Sequence, residues 1–424
     1  MSAADTGQDA FVERHLRRNA IALGADYGLF VTGLTFASQS TILPAFAELL
    51  GAPNVIIGAI PAVMLVGWFL PALFAAGHTE SLPTRLGFVM KWTIWERVPF
   101  PALALAALLL ADGWPRLTLG LMLLMLLATT SVGGMLMPAW MDLVARAIPT
   151  RVRGRFFAGA SILGNLGGLA ASAATAWILS RVAAPRSYAL CFAGATVCMA
   201  LSFWALACTR EGPARVAAPA VSLREYLARI PRILREDVNF ARYLGSRLVV
   251  LVGSMGSGFY TVYALRELGA EPWHAGVFSA AMLLGQIAGN IGLGWLADLR
   301  GHRLSLITGS AATALAGITA LVAPSHAAFV WVFVFQGINQ ASISVSANNI
   351  LLDFAPAPES RPTYVGIGNT AGAPAAFLAP LAGGLLVDVA GIRPVFALST
   401  AATAAGLALL TWCVREPRRA GALA

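Results

Sequence analysis

The chain has 424 residues, 58% of them hydrophobic and only 12% charged, with a mean hydropathy of +0.73. Soluble domains carry about 25% charged residues, so the solvent this composition fits is lipid. The net charge is +9, almost all of it arginine, with Lys91 the one lysine; these bases sit between apolar runs, so topology accounts for them and nucleic-acid binding is excluded.

Backbone polar groups in lipid must be satisfied internally, which leaves helices or closed barrels. Apolar runs of about 20 residues select helices. The polar segment 1–20 ends in Arg14, Arg17 and Arg18. Six spans are expected at 21–49, 54–77, 86–111, 117–144, 155–181 and 187–208. A polar connection follows at 209–241, then spans at 243–267, 273–297, 304–323, 326–352, 363–386 and 392–414. The organisation is an N-terminal segment 1–20, a six-helix bundle 21–208, a linker 209–241, a second bundle 242–414 and a tail 415–424. In the linker Leu223, Leu227, Ile230 and Leu234 recur at helical spacing among Arg224, Arg229, Arg232 and Arg235. That pattern predicts an amphipathic helix lying on the inner leaflet. The first apolar run is too long for a signal-peptide core and lacks an A-x-A site. Cys191, Cys198, Cys208 and Cys413 all fall in apolar runs without a C-x-x-C pair, and read as small hydrophobes.

Orientation follows from the bases. The side holding both termini carries 24 of the 29 arginines and lysines, and the other side carries 5. Both termini are therefore expected in the cytoplasm, across an inner membrane, with an even number of spans. A weak repeat supports two halves: Arg153 and Arg361 each precede a helix rich in small residues.

Enzyme signatures are missing. Lys91 is followed by Trp92, so there is no P-loop, and no H-E-x-x-H, G-x-S-x-G or paired-cysteine metal site occurs. No cofactor is expected. The glycines around Gly285, Gly289, Gly292 and Gly294 read as close helix packing, not as a dinucleotide fingerprint.

Polar residues form stripes on apolar helices. On the tenth span Asn339, Ser342, Ser346, Asn349 and Asp353 share a face, flanked by Gln336 and Gln340. Ser279, Gln286 and Asn290 share one on the eighth span, and Thr32, Thr35 and Gln39 one on the first. On the seventh, Ser254, Ser257 and Thr261 are joined by Tyr260 and Tyr263. Such groups line water, a ligand or a neighbouring helix, and the pattern leaves both readings open. Charged residues inside spans are functional candidates. Asp26 reads as an inner-mouth ion pair or a proton carrier. The apolar block 98–111 is too short to span, so the third helix must carry Glu96 and Arg97 into the membrane. They read as a structural ion-pair network or as a proton-coupled site.

The stretch Gly294 to Arg303, GWLADLRGHR, packs an acid, two arginines and a turn glycine between two spans. It resembles the signature loop of the major facilitator superfamily, with Gly294, Asp298, Gly301 and Arg303 in place and His302 at a normally basic position. A degenerate first copy lies at Gly77 to Arg85. The resemblance implies an all-α membrane protein of twelve transmembrane helices in two pseudo-symmetric six-helix bundles. It implies that helices one, four, seven and ten line a cavity, which singles out Gln39, Tyr260, Gln336, Asn339 and Gln340. It also implies a conformational latch at Gly294, Asp298, Arg300, Gly301 and Arg303, with Arg361 as companion. Ala379-Pro380-Leu381-Ala382-Gly383-Gly384 resembles the G-P-x-x-G-G element of drug–proton antiporters, but sits on span eleven instead of five. The expected function is secondary active transport of a small organic solute by alternating access, with proton-coupled export of an amphiphile as the leading form. A nutrient or sugar permease, a lipid flippase, a non-transporting sensor or assembly factor and a membrane-embedded enzyme are the alternatives. The expected partners are a small molecule, protons and lipids, and the expected state is a monomer.

Overall fold

The computed structural model describes residues 3–80, 84–212, 231–356 and 360–420, and among them no strand occurs. Helices α1 (Ala3–Phe36) and α2 (Ile42–Leu49) cover the first expected span, and α3 (Asn54–Glu80) the second. The third is divided between α4 (Leu86–Arg97) and α5 (Pro99–Leu109). Then come α6 (Pro115–Ala147), α7 (Thr150–Arg181) and α8 (Arg186–Ala207). In the second half α9 (Val238–Val252), a 3₁₀ helix (Gly253–Phe259) and α10 (Tyr260–Glu267) form one span. They are followed by α11 (His274–Arg300), α12 (His302–Val322), α13 (His326–Ser346) with α14 (Asn349–Phe354), α15 (Arg361–Ala371) with α16 (Ala373–Ala390), α17 (Ile392–Trp412) and α18 (Pro417–Ala420).

Nine stretches among the described residues are long and apolar enough to cross a bilayer by length and composition. They correspond to the fourth to twelfth expected spans. The first three fall short of that measure for physical reasons. The first breaks at residues 37–41, the third breaks at Val98, and the described apolar part of the second is Asn54–Trp68. Pro99 opens α5 without an N–H to give, and so restarts the helix two residues after Arg97. The 3₁₀ interruption follows the sequence GSMGSGF, whose glycines weaken an α-helix. The freed backbone is used there: the Ser399 hydroxyl of α17 donates to the Gly253 carbonyl.

The chain divides into two compact units. Unit 1 is Met1–Gly51 with Val63–Ala220, and unit 2 is Ala52–Ala62 with Val221–Ala424. The first turns of α3 therefore pack with the second unit. In unit 1, α1 and α7 meet along a seam of small residues: Gly28 lies under Leu163, and Gly164 under Val31. In unit 2 the expected small-residue contact holds at Gly285, whose missing Cβ leaves room for the Val334 backbone of α13. Large apolar side chains face outward all over both units, as lipid demands: Trp204 is 69% exposed, Ile291 73% and Trp412 82%. The core of the predicted amphipathic linker helix lies outside the described residues; residues 231–236 are helical, and Asp237 caps α9 through the Phe240 N–H at 2.9 Å.

Candidate functional site

The charged residues read as separate candidates meet in the interior of unit 1. Asp26 on α1, Glu96 and Arg97 on α4 are 3%, 7% and 8% exposed. The break at Pro99 leaves Arg97 at the end of α4, from which it reaches across to α1 and α8. Its Nη2 donates to Asp26 Oδ1 at 3.0 Å and to Ser202 Oγ at 2.8 Å. Its Nη1 donates to Thr93 Oγ1 and to Glu96 Oε2, the latter at 3.2 Å. Its Nε donates to the Met199 carbonyl at 3.2 Å, and Phe30 stacks 5.5 Å from its Cζ. Asp26 accepts two further bonds, from Ser202 Oγ at 2.6 Å and Trp140 Nε1 at 3.0 Å. Glu96 accepts one from Thr93 Oγ1 at 3.2 Å. Charges this deep persist only when paired and hydrogen-bonded, and every donor of this arginine is engaged or within reach of an acceptor. Chemically the cluster is two carboxyls sharing one cation, an arrangement suited to holding or releasing a proton. Sequence reasoning missed Ser202 and Trp140, since neutral residues on apolar helices give no signal of their partners.

A second arrangement, also missed, recurs in each unit. In unit 1 the Glu211 carboxylate accepts the Arg85 N–H at 2.8 and 2.9 Å and the Leu86 N–H at 2.7 Å, at the start of α4. Asn19 and Arg210 exchange two bonds of 2.9 Å. In unit 2 Glu416 accepts the Arg303 N–H at 3.0 Å, at the start of α12, and Asn239 and Arg415 exchange bonds of 3.0 and 2.8 Å. The orphan N–H groups of each helix are thus satisfied by an anion from just beyond the last span of its own unit. Burial pushes the Glu416 carboxyl above the usual value. The signal was present as Arg210-Glu211 and Arg415-Glu416, a repeated dipeptide after the sixth and twelfth spans.

The signature-loop residues surround the second of these clasps. Gly301 separates α11 from α12 at φ 95°, ψ 163°, as a turn glycine should. A Cβ there would strike the Glu416 carboxylate. Arg303 turns back to donate to the Leu410 and Thr411 carbonyls at the end of α17. Arg418 bonds Asp353 at 2.9 Å and His302 Nε2 at 2.7 Å, so the neutral His302 ring is an acceptor there. Gly294 lies on α11, and Asp298 and Arg300 are exposed at its C-terminal end. The side chain of Arg361 lies outside the described residues, as do 81–83 in the degenerate loop copy. Asp142 pairs with Arg85 at 2.7 Å and Arg146 at 3.0 Å.

The polar stripes resolve into packing and free faces. Asn339 and Ser342 turn toward α12: the Asn339 Oδ1 approaches Gly309, and Ser342 donates to the Ser305 carbonyl at 2.8 Å. Asn339 is thus a helix-packing residue, the other reading that the sequence left open. Tyr260 is 3% exposed, ringed by Phe329 and Phe396, and its hydroxyl is bonded by Gln336. Gln340 is exposed, and Gln336, half-buried, lies one turn before it and three residues before Asn339. Gln286 and Asn290 lie on α11 opposite the exposed Leu284, Ile291 and Trp295. Gln39 is half-buried in the break between α1 and α2. Thr32 and Thr35 bond their own helix, at the Gly28 and Val31 carbonyls. Among the described residues no group of three or more His, Cys, Asp or Glu side chains is placed to hold a metal.

Residues 243–423 match the sequence model of the Major Facilitator Superfamily. The chain is 28% identical over 144 residues to the multidrug resistance protein MdtG of Escherichia coli (strain 55989 / EAEC), a match covering 34% of this chain and 35% of that protein. It thus spans about a third of the length of that relative. The fold is similar to a mutant of the nucleoside transporter NupG, with TM-score 0.71 and 12% identity, covering 92% of this chain and 98% of the other. The crystal structure of a D-xylose-proton symporter is equally similar, with TM-score 0.71, 14% identity and coverage of 94% and 98%. The chain is a multi-pass membrane protein whose second half is similar by sequence to the Major Facilitator Superfamily, and whose fold over most of its length is similar to those of a nucleoside transporter and a sugar–proton symporter.

Proposed function

We propose that this protein is a secondary active transporter that moves a small amphiphilic solute outward across the inner membrane by alternating access, driven by protons. The observation that carries the reading is the Asp26–Arg97–Glu96 cluster in unit 1. An unbalanced pair of carboxyls costs stability in a membrane protein, and its use is to couple a conformational cycle to protonation. In unit 2 the amides at Gln336, Gln340, Gln286 and Asn290, set among aliphatic and aromatic residues, suit a solute with both polar and apolar parts, and in unit 1 Gln39 is a separate candidate. The multidrug resistance relative favours export over uptake. The latch at Asp298, Arg300, Gly301 and Arg303 governs the inner end of unit 2, and the protein works as a monomer without a cofactor.

The test is reconstitution in liposomes with an imposed pH gradient and a panel of ethidium, chloramphenicol, uridine and xylose. Gradient-driven accumulation of ethidium or chloramphenicol, abolished by a protonophore, is the expected result. Accumulation of uridine or xylose instead would make it a nutrient permease, and no flux of any solute under a gradient would count against transport.

A further inference from the structure

The two carboxyls of the unit 1 cluster are not equivalent. Three donors converge on Asp26. Its Oδ1 receives Arg97 Nη2 at 3.0 Å and Ser202 Oγ at 2.6 Å, and its Oδ2 receives Trp140 Nε1 at 3.0 Å. Indole and guanidinium nitrogens donate and cannot accept. A proton on Asp26 Oδ2 would face the indole N–H directly, and a proton on Oδ1 would face the guanidinium. The guanidinium and the indole favour the ionised form of Asp26, and the Ser202 hydroxyl is the one partner of the three that can also accept.

Glu96 is built differently. Both of its donors, Thr93 Oγ1 and Arg97 Nη1, approach Oε2 at 3.2 Å. Oε1 points at α6, toward Gly133, and a Cβ built there would lie 2.7 Å from it and 3.2 Å from Trp68 Cη2. Oε1 therefore lies beside a glycine, and among the described residues no donor is bonded to it. Among the described residues the charged groups acting on Glu96 are Arg97 from its own helix and Asp26 from α1. Gly133 and Trp68, from α6 and α3, are not ionisable.

Charge counting sets the stoichiometry. Two carboxylates and one guanidinium leave one negative charge in a site less than a tenth exposed, and uptake of one proton removes it. Resting on the proton-coupled reading above, we propose that Glu96 is the proton-carrying group, one proton per cycle. Asp26 and Arg97 are its fixed charge-paired base, and Gly133 is a positioning residue that makes room for the carboxyl. The proton binds Glu96 Oε1, no covalent bond other than O–H changes, and Arg97 relaxes toward Asp26 as Glu96 becomes neutral.

Glu96→Gln alone would not decide the matter, because removing either carboxyl leaves the other balanced by Arg97. The deciding experiment is an infrared pH titration of the purified full chain in liposomes, following the C=O band of protonated carboxyls shielded from deuterium exchange. Glu96→Asp is expected to move the band and its midpoint, and Gly133→Ala to move the midpoint. Trp140→Phe, at a residue that bonds Asp26 and not Glu96, is expected to leave both in place. A band that follows Trp140→Phe and ignores Glu96→Asp would assign the proton to Asp26 and overturn the proposal. Absence of any shielded protonated carboxyl between neutral and acid pH would overturn it too. If Glu96→Asp does not fold, Gly133→Ala carries the test, since the clash falls on the flexible end of one side chain. These bands are read without solute, so the proton site stands or falls separately from the transport reading.

Discussion

At the scale of single residues, Arg97 is the most consequential side chain in unit 1. Asp26 and Glu96 both depend on it, and breaking a buried pair by removing one partner costs about 3–5 kcal/mol. Arg97→Gln should lower the melting temperature in detergent by far more than any surface arginine substitution, and the loss should shrink at acid pH as both carboxyls protonate. An unchanged melting curve would show that the cluster is solvated. Gly301 is the second such residue. Its φ of 95° with ψ of 163° is a conformation almost confined to glycine, and a methyl group would meet Glu416. Gly301→Ala should cost about 1–3 kcal/mol and reduce the yield of folded protein. The value of Gly301 was legible, because a glycine between an acid and a base at the end of an apolar run has few other uses. The partnership of Asp26 with Arg97 was not, because 71 residues separate them and no local pattern links α1 to α4.

At the scale of elements, the sequence located the helices well and their interruptions poorly. Lipid forces helices wherever a run is apolar, so span positions follow from composition alone. Interruptions depend on what receives the freed backbone groups, as the Gly253 carbonyl does from Ser399. The same distinction divides the tenth span. Asn339, on the face of α13 toward α12, and Gln340, exposed one residue on, look alike in sequence. Asn339→Ala should lower thermal stability and leave the apparent affinity for solute unchanged, whereas Gln340→Ala should weaken that affinity several-fold with little effect on melting. Matching effects from both would mean that the two faces are not distinct. The terminal clasp of unit 2 carries a pH dependence. Burial raises the Glu416 carboxyl, so the folded clasp holds a proton more tightly than the unfolded chain. Its contribution to stability is complete below the ordinary carboxylate range and is lost as pH rises through the raised value. The melting temperature should therefore climb as pH falls through the raised value toward the ordinary carboxylate range, and Glu416→Gln should flatten that slope.

At the scale of the whole molecule, the two units share a plan but not a chemistry. Each ends in an Arg-Glu pair that clasps the start of its third helix. Only unit 1 buries an unbalanced charge cluster among the described residues, while unit 2 offers amides and aromatic rings. Under the proposed function, that division would place energy coupling in the first half and much of the solute contact in the second. The repeat was faintly legible at Arg153 and Arg361, and more clearly at Arg210-Glu211 and Arg415-Glu416, once the spans had been counted. The division of labour was not legible, because it depends on which side chains meet. The measurement that bears on it most directly is proton movement in liposomes loaded with a pH-sensitive dye and given ethidium or chloramphenicol without an imposed gradient. Wild-type protein should shift the internal pH as solute crosses, and vesicles carrying Glu96→Gln should show no shift. Solute crossing through the wild-type protein with no movement of protons would contradict the account.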